Sequence, residues 1–417
     1  EQSRRGMHAG SDFKDNSAAY GLNYEARCMA SRLGERECHQ FIVGTHTLRE
    51  KNEIHVIEYS EDSEQVDATG VYSHPGEIWQ LEASSCDKDL FATAYTNQQG
   101  WNCSIWKLDE NQQPPAEEGG GAPEESSQMI DQLAKLNHVV DLKGHEGPIS
   151  TLRWSVLEEG EESAPEAIVT LDSKRIRWWP MSKGSSDVLL DEKSCLKTPE
   201  ISGLTTGCFD PHKDMTFVAA SHKDITCWDF RNTKKAGITV KNAHQGRVLD
   251  IDFNPNRPYH IVSAGTDMVA QFWDVRKASQ PLKCLGGHTH WVCAARFNRF
   301  HDQLLLTSGT DTNVNLWSMV SVSSAPVGEH LLDGYDDEEE EEGEGGDEEA
   351  KRGGKGKTIE SMSEKEGDKL IKRYESHRDS VYSIAWSSDA WVFASLSYDG
   401  TVIVNTVPQS EKYKILL

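Results

Sequence analysis

Short runs in which apolar and polar residues alternate follow one another along most of the chain. Within residues 248–253, for example, Leu249, Ile251 and Phe253 alternate with the carboxylates of Asp250 and Asp252. Alternation with a period of two is typical of a β-strand with one buried face, and β-branched runs elsewhere predict further strands. The pattern therefore predicts a protein built mainly of short strands.

The predicted strands repeat at a fixed distance. His244 and His288 are 44 residues apart, and Trp273 and Trp317 are also 44 residues apart. A period of about 40–45 residues with Gly-His and Trp-Asp landmarks is the signature of WD-repeat blades, each of which is a four-stranded sheet. The sequence thus predicts an all-β fold, a WD-repeat β-propeller.

Polar landmarks recur inside each predicted blade. An entrance His, a Ser or Thr, a turn Asp and a Trp form a hydrogen-bonded tetrad in such blades, which satisfies buried polar groups. We interpret these residues as structural rather than catalytic. The two best tetrads are predicted to be His244, Ser263, Asp267 and Trp273, and His288, Thr307, Asp311 and Trp317.

Five weaker units bring the number of blades to seven. The spacing of the units becomes even, at about 44–51 residues, once residues 110–133 and 333–369 are set aside. Closing the ring protects strand edges, and we expect residues 20–28 to be its first strand and residues 413–417 its last outer strand. The weaker landmarks are His55; His74, Trp79 and Trp106; His145, Thr170, Asp172 and Trp178; His222 and Trp228; and His377, Ser395, Asp399 and Asn405.

Much of the negative charge lies in the two segments that interrupt the repeat. The chain has 43 Lys and Arg against 68 Asp and Glu, a net charge of −25. Residues 110–133 and 333–369 are rich in Gly and acids, so we expect disordered insertions within a propeller at residues 18–417, after a disordered extension at residues 1–17. This balance counts against a nucleic-acid partner and leaves a basic protein partner open.

No apolar run reaches the length of about 18 residues that a membrane-spanning helix needs. No signal-peptide core is visible near the start, so we expect a protein that is neither secreted nor membrane-embedded. The nine Cys show no C-x-x-C pair and no zinc spacing, as expected for buried thiols in a reducing compartment.

Several segments carry a likeness that goes beyond the repeat. They are residues 20–22, 41–45, 52–57, 76–79, 243–244, 252–256, 290–292, 301–307, 393–400 and 414–417. Together they resemble the EARP/GARP-interacting WD-repeat protein family. The resemblance implies a non-enzymatic adaptor that binds subunits of the EARP and GARP vesicle-tethering complexes and promotes endosomal recycling and endosome-to-Golgi transport. It also implies a cytoplasmic protein, a monomer within a larger complex, attached peripherally and indirectly to endosomes and the trans-Golgi network.

Binding is the chemistry that a propeller offers most directly. Each blade places side chains just after its entrance His on one face of the ring, and Trp, Tyr and Arg most often anchor interfaces. Packing between blades is the competing interpretation of the aromatic residues among them. The candidate partner-binding residues are Glu77, Trp79, Arg247, His290, Trp291, Arg378 and Tyr382.

Other functions find weaker support. No nucleotide-binding loop, metalloprotease motif or nucleophile elbow is present, and we expect no enzyme activity, no cofactor and no metal. The W-D-x-R endings at Arg231 and Arg276 resemble a box by which some propellers dock on cullin ubiquitin ligases as substrate receptors, which is the main alternative. Histone binding through the acidic runs is a third possibility, but the helix that usually accompanies it is missing.

Overall fold

The computed structural model describes residues 17–48, 51–109, 133–155, 166–183, 188–190, 195–324 and 367–416. These residues form thirty strands in seven sheets, arranged as the blades of a ring and antiparallel except where β9 pairs with β5. The seven-bladed propeller predicted from the sequence period is therefore confirmed.

The blades follow one another in chain order, and each runs from an inner strand at the central channel to an outer strand. Blade 1 contains β2 (Ala26–Ser31), β3 (His39–Thr45), β4 (Asn52–Ser60) and β5 (Gln65–His74), with β9 (Ala134–Lys135) beside β5. Blade 2 contains β6 (Glu77–Ala83), β7 (Leu90–Asn97), β8 (Gly100–Lys107) and β10 (Asn137–Asp141). Blade 3 contains β11 (Ile149–Trp154), β12 (Ala167–Asp172), β13 (Ile176–Lys183), β14 (Val188–Leu190) and β15 (Leu196–Lys197).

The remaining blades are more regular. Blade 4 contains β16 (Leu204–Phe209), β17 (Thr216–Ser221), β18 (Asp224–Asp229) and β19 (Thr239–Val240), and a 3₁₀ turn at Phe230–Asn232 follows β18. Blade 5 contains β20 (Val248–Phe253), β21 (His260–Gly265), β22 (Ala270–Asp274) and β23 (Lys283–Leu285). Blade 6 contains β24 (Val292–Phe297), β25 (Leu304–Gly309), β26 (Val314–Ser318) and β27 (Lys369–Tyr374), with a 3₁₀ turn at Val320–Val322. Blade 7 contains β28 (Val381–Trp386), β29 (Val392–Ser397), β30 (Thr401–Thr406) and β1 (Ser17–Gly21).

Apolar side chains are buried between neighbouring blades, because both faces of each sheet are covered. Ile42 of blade 1 packs with Ile78 and Phe91 of blade 2, and each further pair of blades encloses a similar cluster. Burial of such side chains is worth about 25 cal/mol per Å² of apolar surface. The ring thus has seven separate apolar clusters, one between each pair of neighbouring blades, around a central channel.

The ring closes through a strand from the start of the chain. β1 pairs antiparallel with β30, with Ser17 opposite Asn405 and Gly21 opposite Thr401. The expectation of one first strand over residues 20–28 was wrong, since the chain there leaves β1 in blade 7 and enters β2 in blade 1. Strand β1 also begins at Ser17, which the sequence assigned to the disordered extension.

The expected last outer strand at residues 413–417 was also wrong. Gln409–Leu416 is an α-helix, since the edge of β30 is already taken by β1 and the segment is rich in helix-forming Gln, Glu, Lys and Leu. Glu411 of this helix is buried and pairs with Lys369 at 2.9 Å. Tyr413 and Leu416 are exposed on its outer side.

The predicted insertions lie almost wholly outside the described residues. One boundary needs correction, because Asp368, placed inside the 333–369 insertion, is buried against blade 6. It accepts hydrogen bonds from the backbone N and hydroxyl of Ser321 and pairs with Lys283 at 3.0 Å. The ordered blade therefore resumes before Lys369.

Both predicted tetrads are present. His244 contacts Asp267 and Ser263, each at 2.8 Å, and the Trp273 ring N–H donates to Ser263 at 3.1 Å. His288 contacts Asp311 at 3.0 Å and Thr307 at 2.9 Å, and Trp317 donates to Thr307 at 2.9 Å. These groups hold the loop before the inner strand against the turn between the second and third strands.

The weaker units keep only part of this network. In blade 3 the ring that donates to Thr170 is that of Trp179, at 2.9 Å, so the assignment of Trp178 was wrong. The hairpin is one residue shorter there, and Trp178 packs instead on Phe209 and Phe230. In blade 7 His377 contacts Ser395 at 2.7 Å, while Asn405 stands at the Trp position. Burial lowers the pKa of His377 to about 4, so this imidazole is neutral at pH 7.

Within the described residues, no helix has the length and apolar character to cross a bilayer. All nine cysteines lie in the described part and carry free thiols. Burial raises the pKa of Cys28 to about 12, so this thiol stays protonated.

Candidate partner-binding site at the channel mouth

A central channel of about 520 Å³ runs between the seven inner strands. The side where the entrance histidines lie is called the mouth, and the opposite side the far face. Apart from residues 49–50, every loop at the mouth is described. The strand ends that flank the gaps at 110–132, 156–165 and 325–366 lie at the far face, as the antiparallel order of the blades requires.

Each inner strand carries a β-bulge at the mouth. In all seven blades the pairing of the inner strand with its neighbour skips one residue near the start of the inner strand. Bulges of this kind re-aim a side chain, and all but one of these residues line the central channel. The bulge ring consists of Arg27, Trp79, Ser150, Thr205, Leu249, Cys293 and Tyr382.

The bulge ring is strongly asymmetric. Its large side chains stand on three adjacent blades, Tyr382 on blade 7, Arg27 on blade 1 and Trp79 on blade 2. The other four positions carry smaller side chains, and Arg27 is the charged member of the ring. One sector of the mouth therefore differs in chemistry from the rest.

In that sector Arg27 lies between two aromatic rings. Its guanidinium carbon is 5.4 Å from the centre of the Trp79 ring and 4.7 Å from that of Tyr382. His46 packs on Trp79 at 4.4 Å, and Tyr398 lies 6.5 Å from His46 and 5.9 Å from Tyr382. These five residues close a loop of contacts.

Trp101 extends this group, 5.4 Å from Trp79. Arg27, His46, Trp79, Trp101, Tyr382 and Tyr398 are called the mouth cluster. Cations over aromatic faces gain about 0.5–2 kcal/mol depending on solvation. The cluster therefore holds the arginine in a fixed orientation.

The polar groups of this sector are incompletely paired. Among the described residues, Arg27 has aromatic contacts but no hydrogen bond or ion pair. Nδ1 of His46 and Oε1 of Glu77 are buried and have no hydrogen-bond partner among the described residues. Burial lowers the pKa of His46, so its imidazole is neutral at pH 7 and adds no second positive charge.

Deeper in the channel the charges are paired. Arg153 of blade 3 and Arg296 of blade 6 each lie three residues after the bulge residue of their inner strand. Both bind Asp250 of blade 5, Arg153 at 3.3 Å. Arg153 also lies 3.6 Å from Glu82 of blade 2. Burial, with the nearby Asp250, raises the pKa of Asp252 to about 6 despite the opposing effect of Arg296. These groups, called the channel network, join four blades across the channel.

The sequence-predicted residues fall into two groups. Trp79 and Tyr382 belong to the mouth cluster, and Trp291, 47% exposed, lines the same channel. Glu77 accepts a hydrogen bond from Thr96 at 2.8 Å, and Thr96 in turn accepts from Trp79 at 3.3 Å.

The second group lies at the mouth but outside the cluster. Arg247 and Arg378 are exposed, and His290 contacts Thr310 and lies against the Trp291 ring, with ring centres 5.2 Å apart. The structure thus brings Trp79 and Tyr382 together in the mouth cluster. Arg247, His290 and Arg378 lie at the mouth but apart from this cluster.

Sequence reasoning missed Arg27, His46, Trp101 and the contact of Tyr398. A signal was present in five blades, because the bulge residue lies five positions after the histidines His74, His145, His244, His288 and His377. Blade 1 has no entrance His, so this offset could not identify Arg27.

The arginines of the ligase-docking alternative are already engaged. Arg231 binds both carboxylate oxygens of Asp229 at 2.9 and 3.0 Å, and Arg276 binds those of Asp274 at 2.9 and 2.8 Å. Arg276 also lies over the Tyr259 ring at 4.4 Å. Each guanidinium thus makes a bidentate pair with the aspartate of its own W-D-x-R ending.

One group of possible metal ligands, His39, Glu61 and Asp389, lies at the far face between blades 1 and 7. Its imidazole nitrogens already contact Glu61 and Ser387, each at 2.9 Å. One possible ligand atom from each residue lies within 4.8 Å of the other two.

Comparison with known proteins gives two family matches. Residues 14–317 match a family model described as the EIPR1 beta-propeller, and residues 368–404 match the WD domain, G-beta repeat.

Full-length relatives agree with these matches. The chain is 34% identical to the EARP and GARP complex-interacting protein 1 of Homo sapiens, across 97% of this chain and 99% of that protein. It is 30% identical to the EARP-interacting protein 1 of Caenorhabditis elegans, across 95% and 98%. It is 32% identical to the WD repeat-containing protein DWA2 of Arabidopsis thaliana, across 93% and 95%.

Proposed function

Because the chain belongs to the EIPR1 β-propeller family, we propose that it is a non-enzymatic adaptor that binds the EARP and GARP complexes. The observation that carries this proposal is the likeness over nearly the whole chain to relatives named for that interaction. The mouth cluster, whose side chains are partly exposed, supplies the surface, since aromatic and arginine side chains are the usual anchors of protein interfaces.

The proposal extends to cellular role and place. An adaptor of these complexes would act in endosomal recycling and endosome-to-Golgi transport, at endosomes and the trans-Golgi network. We propose that its attachment to membranes is peripheral and passes through the bound complex. The chain would then act as a monomer within that assembly.

The experiment that tests the proposal is quantitative capture of complex subunits from cell lysate on immobilised full-length protein. Capture should be strong with the intact chain and reduced at least tenfold with the double variant Trp79→Ala, Trp291→Ala. Because Trp79 is half-buried, circular dichroism must first show that the double variant keeps its fold. The single variant Trp291→Ala, which removes an exposed ring, provides the milder comparison.

The same lysate separates the ligase alternative. If the intact chain captured a cullin adaptor in place of tethering subunits, and Arg276→Ala abolished this capture, the adaptor proposal would be replaced. Capture of tethering subunits that the double variant left unchanged would keep the partner but move the site away from the mouth.

A further inference from the structure

Arg27 differs from the other arginines of the channel in what surrounds it. Arg153 and Arg296 have carboxylate partners on neighbouring blades. Arg27 has aromatic rings at 4.7 and 5.4 Å and, within the described chain, no acceptor for its N–H groups. A guanidinium presents five donors in a planar fork that matches a carboxylate.

The two rings contact the guanidinium without accepting its N–H groups. Its carbon lies over the Trp79 ring and over the Tyr382 ring, and its N–H donors have no acceptor within the described chain. The β-bulge between Ala26 and Cys28 places this side chain in the channel lining at the mouth. A carboxylate could accept two parallel hydrogen bonds from this guanidinium.

We propose that the mouth cluster binds an acidic side chain, Asp or Glu, of a partner peptide segment through Arg27. This inference rests on the proposed function only in taking the mouth as the protein-binding face. It runs against the charge of the whole chain, since a net charge of −25 by itself favours a basic partner. The local arrangement decides the contact, because Arg27 has no acid partner within the described chain whereas Asp250 and Glu82, deeper in the channel, are already paired with arginines.

Neighbouring groups shape the rest of the segment. Trp291 is 47% exposed and lines the same channel, so an apolar residue beside the acid finds a surface. The bulge-ring positions of blades 3, 4 and 6, Ser150, Thr205 and Cys293, are small and leave room on that side of the mouth. The segment that fits is an exposed acid next to an apolar residue.

A selection that presumes no partner tests this inference. A phage library of random twelve-residue peptides is panned on the immobilised full-length protein, and in parallel on the variant Arg27→Gln. Peptides enriched on the intact chain and lost on the variant should be rich in Asp and Glu. Enrichment of Lys and Arg, or the same peptides on both proteins, would overturn the proposal.

The leading peptide is then synthesised, and its dissociation constant is measured by fluorescence anisotropy. Arg27→Gln should weaken binding at least tenfold and Arg27→Lys less, since an ammonium keeps the charge but not the fork. The matched control is Lys223→Gln, which removes one exposed positive charge from a mouth loop of blade 4 and should change the constant less than twofold. Equal losses in Arg27→Gln and Lys223→Gln would mean that only overall charge matters.

The outcome separates this inference from the proposed function. Acid-rich selection without capture of tethering subunits would leave the acid site standing and assign it to another partner. Capture of those subunits by Arg27→Gln at the level of the intact chain would leave the adaptor role standing and refute the acid site.

Discussion

The same channel holds arginines in two different settings. In the channel network, Arg153 and Arg296 meet the buried carboxylate of Asp250, which also accepts a hydrogen bond from the amide of Ala295 at 3.0 Å. At the mouth, Arg27 meets aromatic rings and no carboxylate among the described residues. The first arrangement pairs the arginines with a carboxylate inside the molecule, and the second leaves donors for a partner.

This difference between the two sets of arginines shows that one repeat fold can use some residues for stability and others for binding. Paired charges in the channel network and in the tetrads join blades or loops, and breaking them leaves buried groups uncompensated. The mouth cluster has no such role, because its arginine can be removed without leaving an unpaired acid behind. Substitutions in the two regions should therefore affect different measurements.

The largest effect on stability should come from Asp250→Ala. This change leaves Arg153 and Arg296 without their shared partner and should lower the free energy of unfolding by about 3–5 kcal/mol. Asp250→Asn keeps an acceptor and should cost less. Both stabilities are measured by guanidinium chloride unfolding followed by circular dichroism. If Asp250→Ala were as stable as the intact chain, the channel network would not have the stabilising role that separates it from the mouth cluster.

Asp267→Ala should have the next largest destabilising effect. The tetrad carboxylate accepts from His244 at 2.8 Å and from the backbone N of Gln245 at 2.8 Å. Removing it leaves both donors unpaired and should cost about 1–3 kcal/mol. Asp399→Ala in blade 7, whose carboxylate binds Ser397 and the backbone N of Thr401 rather than the entrance His, serves as the matched control and should cost less. The reverse order would argue against the tetrad as the stabilising unit.

A third substitution should stabilise the protein in a pH-dependent way. Burial raises the pKa of Asp252 to about 6 in the folded chain, above its ordinary value near 4. The folded state therefore binds more protons between these values, and the aspartate lowers stability as the pH rises through that window.

Asp252→Asn removes this effect while keeping an acceptor for the backbone N of Phe297, which lies 2.9 Å from the carboxylate. The variant should be more stable than the intact chain by about 3 kcal/mol above pH 7, with the difference vanishing below pH 4. The charged groups that act on Asp252 include Asp250, Arg153 and Arg296, which remain in both proteins. A difference that did not depend on pH would contradict the assigned pKa.

Arg27→Gln should have the smallest effect on stability. Because no carboxylate within the described chain pairs with this side chain, the loss is limited to aromatic contacts, at about 0.5–1 kcal/mol. A loss as large as that of Asp250→Ala would show that the arginine belongs to the structural set. The same unfolding titration, run on both variants, makes the test direct.

Much of the fold could be predicted because its signals are local and repeated. The spacing of His244 and His288, and of Trp273 and Trp317, is visible in two neighbouring blades. The same period then predicts where the weaker blades lie. Ring closure could not be predicted in the same way. The pairing of β1 with β30 joins opposite ends of the chain, and the helix at Gln409–Leu416 forms where that pairing leaves no free strand edge.

The candidate site was less predictable for a related reason. Trp79 and Tyr382 were found because they follow an entrance histidine, whereas Arg27 stands in a blade without one. A β-bulge is a property of pairing between strands, so no single segment displays it. The replacement of Trp178 by Trp179 in the blade 3 network has the same origin, since one residue fewer in a hairpin shifts every later position.

The most direct test of the central claim is the affinity of the purified EARP complex for the intact chain and for Arg27→Gln, with unfolding midpoints recorded on the same samples. The account predicts at least a tenfold loss of affinity at an essentially unchanged midpoint. Unchanged affinity, or a loss that appears only together with a lowered midpoint, would contradict it.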